Sequence, residues 1–530
     1  MQCGPMSGKC VTTVVIIDCH RGVGFRPDIT GRSRMNVRRE DDRDPMLNRS
    51  EIEEVELKLE LDARAFGLID WAAVFDGQPC HIRQRSVYFD TPDRALAKAG
   101  LSLRIRDDGE RRLQTVKARR ASTGVFVRRE WEFEVECEAL VLDDRSPVLA
   151  ALHERVEQLV PIFTIENDRA LWNLDGIEVA LDHARITAGD RSITVCEIEF
   201  EAKGCDVAAL FVQARKVAAL TPVDVGVISK SDRGYNLLDD CLAAAKAPAA
   251  LLEQSMTTSA AFQIIAQACV RQFRLNVAGI VENADADALH RARVAIRRLR
   301  TAITIFRPIL AGTGSARSRD GLAWVAGELG KARDIDVLLE RVGGAPIATQ
   351  LAVERKAAYS DASAALVSPR ARMLILDLVE WINAGDWLDN LASAGCGNAP
   401  IVQFAADALE RLRLKLRKRG HRFKHLDDEG RHDVRKVAKK LRYAAEFFAP
   451  LFPSGRQQAR ADRILGMLEK LQDQLGELND LATAPDLMSR YGLGVHISAP
   501  GIAPPGIKSE LVAQAAETLK QLFRCKRFWK

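Results

Sequence analysis

The sequence predicts a multidomain α+β chain, with an N-terminal antiparallel β domain carrying flanking helices and an all-α C-terminal domain. Three observations point there. From about residue 51 to 240, charged side chains recur at every second position inside short apolar runs, the period of a strand with one charged face. Beyond 250 the apolar period lengthens to that of a helix and holds nearly to the end. That second half also repeats itself. Leu289–Arg300 aligns with Arg431–Arg442, and Leu329-Gly330-x-x-x-Asp334 is echoed by Leu475-Gly476-x-x-x-Asp480, as a duplicated helical unit would give.

Taken in order, residues 1–49 are rich in Arg, Asp and Gly, lack a sustained period and read as a disordered extension, with Met46 an alternative start. Gly4–Cys10 imitates a phosphate loop, but it precedes its apolar run and ends in Cys where Ser or Thr would bind magnesium. Val14–Ile17 is too short for a signal peptide's apolar core. The β domain spans 50–242 and opens on Glu54–Leu59. Further strands are expected at Arg85–Phe89, Ser102–Arg106, Arg112–Lys117, Val125–Val135, Ile177–Leu181, Ile186–Ala188 and Ser192–Glu201. Helices are expected at Asp62–Phe75, Pro147–Val160 and Val207–Leu220, and the short connections imply antiparallel neighbours. The Ala-rich stretch 243–254 reads as a linker. Residues 255–530 form the helical domain, broken near 311–316, 343–346, 395–400 and 453–455, with its repeat around 289–340 and 431–482. Leu519–Lys530, with Phe523, Phe528 and Trp529, reads as a packing helix.

At 530 residues the chain is too long for one core. Its 47% hydrophobic and 28% charged composition excludes a largely disordered chain. With 77 basic and 72 acidic residues the net charge is only +5, so anion binding must come from local clusters. No apolar run approaches the roughly 18 residues of a membrane span. The 11 cysteines are scattered without a CxxC pair or zinc spacing, which reads as reduced thiols in a cytoplasm.

The charged strand faces carry the chemistry. Glu54, Glu56 and Lys58 leave one face of a strand while Val55, Leu57 and Leu59 leave the other; Glu197, Glu199 and Glu201 repeat the pattern later. Carboxylates in that number suit a hard divalent cation, Mg²⁺ or Mn²⁺ rather than zinc. Lys58, Arg104, Arg106, Lys117 and Arg169 lie in strand-like segments and Lys230 in a turn-like one; such bases match phosphate oxygens. Strands turning these faces inward can close around a polar lumen that takes a polyanion with its metal.

In order and spacing these segments resemble a CYTH domain, the triphosphate tunnel metalloenzyme family. The resemblance rests on Glu54-x-Glu56-x-Lys58, Tyr88–Thr91, Leu103–Arg106, Thr115–Lys117, Arg128-x-Glu130-Trp131-Glu132, Glu197–Glu201 and Ser229–Tyr235, and covers about 51–240. It implies an eight-stranded antiparallel tunnel that binds a triphosphate with Mg²⁺ or Mn²⁺. It gives Glu54, Glu56, Glu197, Glu199 and Glu201 to the metal, with Glu54, Glu56 and Lys58 central to catalysis. Lys58, Arg104, Arg106, Lys117, Arg128, Arg169 and Lys230 go to the phosphates. Glu130, Glu132 and Asp182, beside Arg128, go to the tunnel wall. One departure is His183-Ala184 after Asp182, where relatives usually have a glycine.

In the helical half, His290, Arg293, Arg297 and Arg300 fall within an arc of roughly 80° on one helix face, and His432, Arg435, Lys439 and Arg442 reproduce the stripe. A single stripe of this kind is usually a solvated face; its duplication points to a polyanion surface. Two other readings of the histidines fail. The repeat partner of His432-Asp433 has Arg291 where an HD-type metal site needs Asp, and His421 with His425 lacks a third zinc ligand. This half resembles a CHAD domain over about 255–490, most characteristically at Arg435–Glu446. The resemblance implies two similar helical bundles with bases around a cavity or groove, and inorganic polyphosphate as ligand. Nucleic acid is disfavoured, because aromatics make up 6% of the chain and few sit among the stripe bases.

The expected function is a cytoplasmic inorganic triphosphatase that cleaves tripolyphosphate to pyrophosphate and phosphate, with polyphosphate held on the helical domain and no membrane contact. The alternatives are thiamine triphosphate or nucleotide hydrolysis, or adenylate cyclisation, in the same tunnel. A non-catalytic polyphosphate-binding protein is the remaining one.

Overall fold

The computed structural model describes residues 14–17, 55–118, 129–143, 146–239, 252–310, 312, 314–342, 347–393, 399–490 and 506–530. They fall into two compact units that divide near Leu242. Glu54, Arg128 and most of the expected linker lie outside the described residues, as does most of the N-terminal extension.

The strands of the first unit are β1 (Val14–Ile17), β2 (Glu56–Leu61), β3 (Cys80–Asp90), β4 (Leu101–Asp107), β5 (Arg112–Ala118) and β6 (Arg129–Glu134). They continue with β7 (Leu140–Asp143), β8 (Val160–Leu174), β9 (Ile177–Ala188), β10 (Arg191–Ala202) and β11 (Val223–Val225). Within the segment expected to be disordered, the β-branched run of β1 pairs parallel with β7. The other strands form one sheet in the order β11-β2-β10-β9-β8-β3-β4-β5-β6, every pair antiparallel.

This corrects the expectation of an eight-stranded closed tunnel. The sheet has nine strands, and among the described residues no pairing joins β11 to β6. The physical reasons are local. Pro161, Asn167, Asp168 and Asn173 are poor strand formers and disguise β8, although its burial alternates along much of its length. Ile177–Ala188 is one strand instead of two, because pairing runs unbroken through Asp182–Arg185. β11 adds an edge only three residues long, which offers few hydrogen bonds for closure.

Helix boundaries shift for similar reasons. The expected helix Asp62–Phe75 is two short ones, Ala63–Leu68 and Trp71–Val74, because Asp62 and then Asp70 each cap a fresh start. The segment Pro147–Val160 is a helix to Leu152, a tight turn to Gln158 and then the start of β8. Helix α1 (Val207–Leu220) forms as expected, capped by Asp206, and buries Leu210, Phe211, Ala214 and Val217. On β2, β10 and β9 the apolar positions Leu57, Leu59, Ile198, Phe200, Val179 and Leu181 are buried, each such side chain contributing about 1.5–3 kcal/mol. The alternation of a strand then puts Glu56, Lys58, Glu197 and Glu199 on the other face. Helix α2 (Lys230–Leu237) ends the unit.

The second unit is helical: α3 (Thr258–Asn283), α4 (Ala286–Ile305), α5 (Gly314–Val342), α6 (Ile347–Val367), α7 (Pro369–Ala384), α8 (Asp386–Ser393), α9 (Ile401–Arg419), α10 (Asp428–Phe448), α11 (Gly455–Arg490) and α12 (Ile507–Arg524). Phe262, Phe306, Trp381, Trp387, Phe404 and Phe448 form a linked aromatic core. The expected packing helix stops at Arg524; Phe528 and Trp529 lie beyond it yet are buried, and Trp529 Nε1 donates to Glu410. Among the described residues no helix is long and apolar enough to cross a membrane.

Candidate active site

Strand register assembles the charged face. Glu199 stands opposite Lys58, and Glu201 opposite Glu56, across β2 and β10; Glu197 stands opposite Asp182 on β9, which stands opposite Arg169 on β8. Further along, Tyr88 and Ser86 on β3 face Arg104 and Arg106 on β4. Arg104 faces Thr115, Ser102 faces Lys117, and β6 brings Glu132 opposite Thr115 and Glu130 opposite Lys117. Because side chains alternate, these residues from Glu56 to Glu132, Glu130 aside, share one face of the sheet. At one end that face turns apolar, where Tyr88, Phe163, Ile165, Ile186 and Val195 pack with Tyr235 of α2.

The residues named from the sequence meet unequally. Asp182, Glu197 and Glu199 each offer a carboxylate oxygen within 4.8 Å of the other two. Asp182, expected in the wall, is thus a member of this acidic cluster, fully buried like Glu197. Glu201 is bonded to Lys203 at 2.6 Å instead, and half-buried Glu56 stands outside the cluster. Lys58 pairs with Glu197 at 3.1 Å and Glu199 at 2.7 Å. Arg169 grips Asp182 through two bonds of 2.7 and 2.6 Å and reaches Glu199 at 2.8 Å. Lys230 contacts all three acids. Arg106 and Thr115 both donate to Glu132, at 3.3 and 2.9 Å, and Arg104 to the Tyr88 hydroxyl at 3.5 Å.

Burial works against the charged forms of Asp182, Glu199, Lys58 and Lys230, and the opposite charges win. Burial alone would push Asp182 up, but Lys230 and Arg169 bring its pKa down to about 2. Glu199 is held well below the usual carboxylate range against its own burial by Lys230, Lys58 and Arg169. Lys58 is raised despite burial by Glu197 and Glu199, and Lys230 by Asp182 and Glu197. One atom is left over: Glu197 Oε2 is buried with no hydrogen-bond partner. An all-oxygen donor set with a free buried oxygen fits Mg²⁺ or Mn²⁺ and not a thiolate-loving metal.

Lys230 owes its position to α2. Ser229 caps the helix and Asp232 returns the bond, a capping box. A Cβ at Gly234 would lie 2.3 Å from the Phe163 ring, so only glycine lets α2 approach the sheet this closely. Tyr235 Oη donates to buried Asp90 at 2.9 Å, and Asp90 also accepts from the backbone of Leu96 and Ala97.

In the helical unit the two stripes converge only in part. Arg293 and Arg297 of α4 lie near Arg435 and Lys439 of α10; burial and then these cationic neighbours lower Lys439, and burial with Arg297 lowers Arg293 and Arg435. Burial and then Arg297 bring Arg293 down to about 10; burial, Arg435 and Arg297 bring Lys439 to about 7. The Nε atoms of Arg293, Arg297 and Arg435 are buried without hydrogen-bond partners. Asp334 of α5 counters Arg293, and Asp480 of α11 counters Arg435 and Lys439. His290 flanks the cluster, its pKa lowered by burial and then by Arg333, Arg297 and Arg293. The other stripe residues lie elsewhere. Exposed Arg300 neighbours Lys440, His432 bonds Asn479 at 2.7 Å, and Arg442 is tied to Glu446, Gln472 and Glu469.

Family comparison agrees with both halves. The model of the CYTH domain matches residues 53–235 and that of the CHAD domain matches 264–489. The chain carries a CYTH domain followed by a CHAD domain. The CYTH part is similar to an inorganic triphosphatase of Haemophilus influenzae, 30% identical over 164 residues. That match covers 29% of this chain and 45% of the relative, so the chain spans under half the length of that curated relative. Among solved structures, the CHAD domain of the plant Ricinus communis is 27% identical with a TM-score of 0.45, covering 54% of this chain and 98% of that one. PH1819 of Pyrococcus horikoshii is 18% identical with a TM-score of 0.22, covering 35% and 97%.

Several residues of these sites escaped the sequence. In the CYTH domain Asn167 donates to Asp182 at 2.8 Å; its place two residues before Arg169 was the available signal. In the CHAD domain Asp334 and Asp480 were visible as parts of the echoed motif, with nothing to show that they face the basic stripes.

Proposed function

We propose that the protein is a metal-dependent inorganic triphosphatase that hydrolyses tripolyphosphate to pyrophosphate and phosphate, and that its CHAD domain binds inorganic polyphosphate. The observation that carries this reading is the interlocked set of Asp182, Glu197 and Glu199 with Lys58, Arg169 and Lys230 on one sheet face. Similarity of the CYTH part to a triphosphatase supports it. In this reading Asp182, Glu197 and Glu199 hold Mg²⁺ or Mn²⁺, which neutralises charge on the terminal phosphoryl group.

The chain's own residues do the rest. Lys58, Arg104, Arg106, Lys117, Arg169 and Lys230 present N–H donors that hold the phosphate oxygens in line. Glu56 and Glu201, opposite each other on β2 and β10, orient the attacking water. In the CHAD domain Arg293, Arg297, Arg435 and Lys439 take the polyphosphate, and α4–α5 and α10–α11 are two copies of one unit. The protein acts in the cytoplasm.

Phosphate release from tripolyphosphate, ATP and thiamine triphosphate tests the reading. Tripolyphosphate is expected to turn over fastest with Mg²⁺ or Mn²⁺ and not at all in EDTA. Faster release from ATP or thiamine triphosphate would reassign the substrate. No release from any of them would sink the enzymatic reading.

A further inference from the structure

The Lys230 ammonium meets all three carboxylates of the acidic cluster at once. Its Nζ lies 2.6 Å from Asp182 Oδ2 and 3.3 Å from Glu199 Oε1, and it also donates to Glu197 Oε1. An ammonium has three N–H donors and no more. The donors that Lys230 would offer a phosphate are therefore already engaged, on the same three carboxylates a divalent cation would need. Lys58 and Arg169 complete the set, so three carboxylates face three cations in a buried and balanced cluster.

We propose that Lys230 fills the cation position in the substrate-free protein, and that its transfer from the carboxylates to an incoming triphosphate frees them for the divalent cation. This rests on the triphosphatase reading of the site. A divalent cation added to the balanced cluster would leave uncompensated buried charge, which is costly. A triphosphate brings the opposite charge and a new acceptor for Lys230. Metal and triphosphate affinities are then linked, each raising the other by the same factor. The exchange needs only a side-chain rotation about the flexible lysine stem, since α2 itself is fixed by the Ser229 cap, Gly234 and the Tyr235–Asp90 bond.

The test measures Mn²⁺ binding to the full-length protein by the electron paramagnetic resonance signal of free Mn²⁺, without any phosphate. Lys230→Met is expected to bind Mn²⁺ at least tenfold more tightly than wild type, and Lys230→Arg, which keeps the charge, no more tightly. Lys230→Gln serves as a second neutral variant should the methionine protein fail to fold by circular dichroism. A folded neutral variant with wild-type Mn²⁺ affinity overturns the proposal. Wild-type turnover of tripolyphosphate is measured alongside. Turnover with no gain in Mn²⁺ affinity defeats this inference alone, whereas absence of turnover defeats the triphosphatase reading beneath it.

Discussion

Glu56 and Lys58 are two residues apart on β2 and share a face, but their surroundings differ enough to separate chemistry from folding. Half-buried Glu56 stands outside the acidic cluster, whereas Lys58 is 5% exposed and bonded to both Glu197 and Glu199. Glu56→Gln removes a charge that reaches buried Lys58 only as the weakest of its electrostatic influences, so turnover is expected to fall at least 100-fold with the denaturant midpoint little changed. Lys58→Met leaves two buried carboxylates short of a counter-charge. Its cost is about 3 kcal/mol, the lower end for breaking a buried pair, because Lys230 and Arg169 remain. Steady-state kinetics and urea melts on the two variants check this; equal stability would show that Lys58 is no structural counter-ion. At this scale the charged residues were legible, because strand period sorts them onto a face. Their partners were not: the ion pairs cross β2, β10, β9, β8 and α2, and pairing between strands leaves no trace in a single sequence.

Among the elements, α2 shows how a motif fixes a side chain. Tyr88–Thr91 and Ser229–Tyr235 were visible as two separate motifs, and the fold joins them through the Tyr235–Asp90 bond. Tyr235→Phe leaves the buried Asp90 carboxylate with its backbone donors and the Thr91 hydroxyl, at a cost of about 1 kcal/mol. If that bond aims α2, the KM for tripolyphosphate rises at least threefold while kcat changes less, because Lys230 is misplaced and the acids are not. A drop in melting temperature with unchanged KM would make the bond purely structural. Elements with a clean period were read well, α1 above all. β8 was not, since its polar residues mask an alternating pattern, and closure of the sheet was misjudged because edge pairing depends on strands distant in the chain.

For the whole molecule, the echo in the helical half has a physical content that the sequence alone left blank. A Cβ at Gly330 would stand 3.1 Å from the Arg293 guanidinium and one at Gly476 an ordinary 3.9 Å from that of Arg435, so each echoed glycine lies beside a stripe arginine, tightly only in the first copy, and each echoed Asp counters it. Convergence of the stripes could not be read, because α4 and α10 meet only through tertiary packing. That convergence sets the pH response of the CHAD domain. Lys439 is half-buried and faces Arg435, Arg297 and Arg293 with Asp480 as its counter-charge, and burial followed by these cations brings its pKa down to about 7. Below that value it is an ammonium; above it, binding a polyanion must draw a proton back onto it. Polyphosphate affinity is therefore expected to fall as pH rises from 6 to 8.5, by up to about 30-fold if the bound state requires the protonated lysine. Lys439→Arg stays charged throughout and should flatten the profile. Anisotropy of labelled polyphosphate on the full chain measures both. Tripolyphosphate turnover in Lys439→Arg should stay within twofold of wild type, because the acidic cluster and its counter-ions all belong to the CYTH domain; a parallel loss of turnover would show that the CHAD domain takes part in the reaction.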